Sequence, residues 1–78
     1  MQKDERLKKR ISKKIGNAIK FYREKINLSQ EVLAYNIGVD RTYISALENG
    51  IKCASVYCLF QISKELKINI KDLLDINL

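Results

Sequence analysis

The sequence contains no histidine, and that one absence removes both the commonest general base and the commonest protein ligand for metals. Proline and tryptophan are absent too, and nothing in the composition resembles collagen, a mucin stalk or a disordered tail. The only two cysteines, Cys53 and Cys58, form no C-x-x-C pair. Without a histidine or a second cysteine pair they cannot build a zinc site. They read as two reduced thiols of a cytoplasmic protein, one or both partly buried. No apolar run approaches the ~20 residues a bilayer span needs, and the charged N-terminal stretch does not read as a secretory signal. A Gly-rich phosphate loop and a paired-carboxylate pocket are also missing, so no catalytic constellation can be assembled. The chain is expected to be no enzyme, to need no cofactor or metal, and to bind neither membrane nor small-molecule ligand.

What is present is a short, basic chain. Its 78 residues suffice for one domain, which hides only about 60–65 % of its unfolded surface. The net charge is +6, and it is unevenly spread. Residues 1–25 carry ten Lys/Arg against three acids, residues 26–50 one against three, and residues 51–78 four against three. A basic end of this kind attracts polyanions at long range. Residues 1–10 read as a basic N-terminal arm or an extension of the first helix, with Lys3, Arg6, Lys8, Lys9 and Arg10 as its charges. Residues 11–78 read as the folded domain.

Apolar residues at Leu7, Ile11, Ile15, Ile19, Tyr22 and Ile26 recur every three or four positions, which predicts one face of a long helix. Asn27, tolerant of the left-handed conformation, is placed to end it. Ser29 is the expected cap of a second helix, whose Val32, Leu33 and Ile37 face the core. Ala34 is small where another helix should cross it, and Gly38 supplies a left-handed turn. Asp40 is the expected cap of a third helix with Ile44 and Leu47 inward. Ser55 should cap a fourth, with Val56, Leu59, Phe60, Ile62 and Leu66 as its apolar stripe. Asn69 and Asp72 suggest a capping box on a short fifth helix. The reading is all-α: five helices with short links and no repeat.

Residues 30–49 carry the functional signal. They read as a helix, a tight Gly-containing turn and a second helix. The major groove of DNA is ~12 Å wide, which admits one α-helix. The third helix presents Thr42, Ser45, Ala46 and Asn49 on the face opposite Ile44 and Leu47. Arg41 stands at its N-terminal tip, where base edges are normally met, and its planar fork can bridge O6 and N7 of guanine. Arg41, Thr42, Ser45 and Ala46 are thus the candidate base contacts. Gln30 at a helix start, Tyr43, Asn49 and Lys52, with Lys13 from the first helix, are the candidate contacts to phosphates.

From Ile15 to about Ile76 the chain resembles the lambda-repressor-like, Cro/repressor-type helix-turn-helix family. The resemblance is carried by Leu-Ser-Gln-Glu-Val-Leu-Ala at 28–34, Ile37-Gly38-Val39, Tyr43-Ile44-Ser45, Leu47-Glu48-Asn49-Gly50 and Leu-Lys-Ile-Asn-Ile-Lys-Asp-Leu-Leu at 66–74. It implies a compact five-helix domain that binds operators as a homodimer. It also implies a structural pair between Arg23 and Glu48, and the helical wheel independently turns Glu48 inward, where a carboxylate needs a partner. Asp-Arg-Thr-Tyr-Ile-Ser at 40–45 is similar to the recognition helix of restriction–modification controller proteins. The chain departs from the family at Asn27 and Lys67, where glycine is usual, and at Ala54, where proline is usual.

The implied function is a sequence-specific, double-stranded DNA-binding transcription regulator in the cytoplasm. Its partners are an operator, a second copy of the chain and, as a candidate, RNA polymerase. Ile68, Ile70, Leu73, Leu74, Ile76 and Leu78 are more apolar surface than one short helix can bury, and they are the expected dimer interface. The alternative is an antitoxin or phage-type repressor whose main role is to bind a protein partner. Such proteins usually carry an additional segment, and none is evident after the fifth helix.

Overall fold

The computed structural model describes residues 5–77; Lys3 and Leu78 lie outside them. Among these residues every regular element is helical: α1 Glu5–Lys25, α2 Gln30–Ile37, α3 Arg41–Glu48, α4 Val56–Leu66 and α5 Ile70–Leu73. One core joins all five. It is built from Ile15 and Ile19 of α1, Leu33 and Ala34 of α2, Ile44 and Leu47 of α3, Leu59, Ile62 and Leu66 of α4, and Leu73 of α5.

The helix boundaries follow from local chemistry. Ser29 Oγ accepts the Val32 N–H at 3.0 Å, and Ser55 Oγ accepts the Cys58 N–H at 3.1 Å. Each satisfies a backbone donor that helix geometry leaves free. The Asp72 carboxylate accepts the Asn69 N–H at 3.1 Å at the start of α5. Asp40 occupies the cap position of α3, but its side chain makes no capping bond, so only its charge favours the helix start. Asn27 and Lys67 end α1 and α4 at φ of 56° and 60°. The left-handed turns usual for glycine are therefore kept without it.

Several expected core positions are exposed. Leu7 and Ile26, the latter past the end of α1, are exposed, and Val32 turns to solvent because α2 is covered on its Leu33–Ala34 side. On α4 the buried residues are Cys58, Leu59, Ile62, Ser63 and Leu66, whereas Val56 is 65 % and Phe60 51 % exposed. At about 100° per residue these two lie well away from the Leu59–Ile62–Leu66 line. Most residues expected at a dimer surface are instead covered within the chain. Leu73 is 1 % exposed and belongs to the core, and Ile68, Ile70 and Ile76 are half-buried against it. Of the described residues expected there, only Leu74 is exposed.

Candidate nucleic-acid interface

The α2–turn–α3 unit is held by its turn and by what lies behind it. Gly38 adopts φ +77° with open space where a side chain would point, so glycine is required by the backbone rather than by crowding. The Val39 N–H donates to the Ala34 carbonyl at 2.9 Å and closes the end of α2. Ile44 and Leu47 are buried, which fixes the opposite face of α3 outward. Arg41, Thr42 and Asn49 are exposed there, while Ser45 and Ala46 are half-exposed. Asn49 Nδ2 donates to Ser45 Oγ at 3.4 Å, linking two of the outward side chains.

The inner end of α3 is anchored by a buried ionic network. Arg23 Nε donates to Glu48 Oε2 at 2.6 Å and Nη2 to Oε1 at 3.0 Å. The remaining guanidinium nitrogen, Nη1, donates to the Leu28 carbonyl at 2.8 Å. The Glu48 carboxylate holds the arginine above its ordinary pKa by these bonds, against the opposing effect of burial. Gln30 Nε2 also donates to Glu48 Oε1, at 2.9 Å. One carboxylate at the end of α3 is thus tied to α1 and to the first residue of α2. Among the described residues no buried side-chain nitrogen or oxygen lacks a partner. The Gln30 bond could not be read from the sequence, because its partner is 18 residues away. Gly16 was likewise missed. A Cβ there would collide with the Leu47 carbonyl oxygen and lie 2.8 Å from that of Glu48, so α1 passes against the end of α3 at van der Waals distance only through a glycine. A glycine within an otherwise unbroken helical pattern was the available signal.

The structure brings Lys13, Tyr43, Asn49 and Lys52 together on one groove between α1 and the α3–α4 connection. Gln30 is apart from them, engaged with Glu48. Tyr43 is half-buried against the core. Burial pushes its phenol above the ordinary value, with a further push from the neighbouring Cys58. Burial likewise raises the Cys58 thiol, and Tyr43 partly opposes that rise. Both cysteines are free thiols, Cys53 exposed and Cys58 buried. Among the described residues no cluster of ligating side chains could hold a metal ion, and no helix is long and apolar enough to cross a membrane.

Comparison with known proteins fits this geometry. The helix-turn-helix family model matches residues 19–73. Control protein C.MunI from Mycoplasma sp is 44 % identical over 64 residues, an alignment covering 81 % of this chain and 86 % of that protein. The crystal structure of the restriction–modification controller protein C.AhdI from Aeromonas hydrophila superimposes with a TM-score of 0.76 at 31 % identity, over 80 % of this chain and 94 % of that one. The controller protein C.Esp1396I, solved as a tetramer in complex with its natural 35-base-pair operator, matches with a TM-score of 0.69 at 32 % identity, over 82 % and 95 % of the two chains.

Proposed function

Since the chain belongs to the helix-turn-helix family, with restriction–modification controller proteins among its relatives, we propose that it is a sequence-specific transcription regulator that occupies an operator as a homodimer. The observation that carries this reading is the presentation of α3. Its inner face is buried through Ile44 and Leu47, its end is locked through Glu48, and Arg41 and Thr42 stand exposed at its N-terminal end. A helix held so rigidly, with polar and small residues outward, suits insertion into the major groove.

Arg41 then reads a guanine edge, and Thr42, Ser45 and Ala46 contact neighbouring bases. Lys13, Tyr43, Asn49 and Lys52 meet phosphates and set the docking angle. Gln30 adds a phosphate contact through the amide hydrogen that Glu48 does not take. The second copy of the chain docks on α4, where Val56, Tyr57 and Phe60 form an exposed apolar face outside the α2–α3 unit. Tyr57 is 73 % exposed, and three large side chains at this spacing on one helix can pair with the same face of a partner about a two-fold axis. The setting is the cytoplasm, and the controller role in a restriction–modification system follows the relatives. RNA polymerase is the partner expected if the operator lies beside a promoter.

Selection from random duplexes by the purified chain tests the reading. The account expects enrichment of a pseudo-palindrome whose half-site centres lie about one helical turn, ~34 Å, apart. Recovery of no preferred sequence would refute it.

A further inference from the structure

The groove that gathers the candidate phosphate contacts extends further than they do. It encloses about 860 Å³, and its α1 wall carries Lys8 and Lys9 one to two turns before Lys13. Four lysines, Lys8, Lys9, Lys13 and Lys52, therefore line it against one acid, Glu5. Lys9 and Lys13 also stand four apart on the same helix, a like-charge spacing that disfavours the helix and that Glu5, four residues before Lys9, offsets only at one end. The fold thus concentrates ammonium groups that repel one another, and an anion between them would relieve that repulsion. Lys8, Lys9 and Lys13 all precede the residues matched by the family model, which begins at residue 19.

Position identifies the anion. Asn49, the residue that follows α3, lies on the same groove, as does Tyr43 of α3 itself. The groove is therefore continuous with the C-terminal end of α3. The groove is open and of mixed lining, so it suits an extended chain of phosphodiesters rather than an enclosed small molecule. We infer that this groove extends the contacts of Lys13 and Lys52 outward, so that Lys8 and Lys9 grip the phosphodiester backbone flanking the segment read by α3. It rests on the DNA-binding role proposed above. It adds affinity and lengthens the footprint, and it contributes no base discrimination, because a lysine meets phosphate as a point charge.

The test uses the full chain and a random-sequence duplex, with binding followed across salt concentration. Each phosphate contact contributes about 0.9 to the slope of log affinity against log salt. Lys8→Gln combined with Lys9→Gln should make that slope shallower by about 1.8, while Lys20→Gln, on α1 but off the groove, leaves it unchanged. A slope equal to wild type in the double variant, or an equal loss from Lys20→Gln, overturns the inference. Cys53 gives a local readout, since it is exposed on this groove while Cys58 is buried. Saturating duplex should slow maleimide labelling of Cys53 in wild type, and less so in the double variant. Labelling at the free rate contradicts occupancy of the groove. The two readings fail separately. A chain that selects a sequence but has a slope indifferent to Lys8 and Lys9 loses the groove alone. A chain that selects nothing yet keeps the lysine-dependent slope loses the readout by α3 alone.

Discussion

At the scale of single residues, Glu48 is the side chain through which α3 is tied to both α1 and α2. Its carboxylate accepts from Arg23 and Gln30, and it is buried with the arginine behind α3. Glu48→Ala would strand the Arg23 guanidinium in the interior. Loss of one partner of a buried pair costs about 3–5 kcal/mol, and thermal unfolding should show most of the stability of so small a domain gone. A melting temperature equal to wild type would mean that the pair holds nothing in place. Tyr43 and Cys58 set the response to alkali. Both are raised by burial above ordinary values of 10.0 and 9.0, so the folded chain keeps their protons where the unfolded chain gives them up. The stability they contribute is complete below those ordinary values and is lost as pH rises from them through the raised folded values. Melting followed from neutral pH upward should therefore decline beyond about pH 9, and Cys58→Ala should flatten the first part of that decline.

Helix ends show which local rules hold without glycine. Lys67 closes α4 at φ 60°, a conformation that a side chain makes unfavourable. Lys67→Gly should stabilise the domain by about 0.5–1 kcal/mol, or about 3–6 °C in melting temperature. A fall in melting temperature would show that the lysine side chain contributes more than its backbone costs. The existence and order of the five helices were legible because caps and periodicity are local: Ser29, Gly38, Ser55 and the Asn69–Asp72 pair each act within a few residues. The outward set on α3 was legible for the same reason, since Ile44 and Leu47 define its opposite face. Which apolar residues of α4 and α5 stay exposed was not. Hydrophobicity marks Leu73 and Phe60 alike, and only the packing of α5 onto α4 and α1 decides that the first is covered and the second is not. Gly16 and the Gln30–Glu48 bond were hidden for a related reason, because each depends on a residue distant in sequence.

At the scale of the whole molecule, the basic groove and the apolar face proposed for pairing lie on different elements. The basic groove belongs to α1 and the α3–α4 connection, and the face of Val56, Tyr57 and Phe60 to α4. A dimer formed through α4 leaves the recognition helices free of the contact. Phe60→Lys should convert a dimer to a monomer in sedimentation velocity and weaken operator binding while leaving the fold intact, whereas Leu73→Lys should unfold the chain. A dimer that survives Phe60→Lys would place the contact elsewhere. The claim on which all of this depends is that α3 reads base sequence, and its most direct measurement compares the duplexes selected by wild type and by Arg41→Ala in parallel. The account predicts that the variant, still folded and still binding DNA, loses preference at one base pair of each half-site, a discrimination of about 1–3 kcal/mol. An identical selected sequence from both proteins would contradict it.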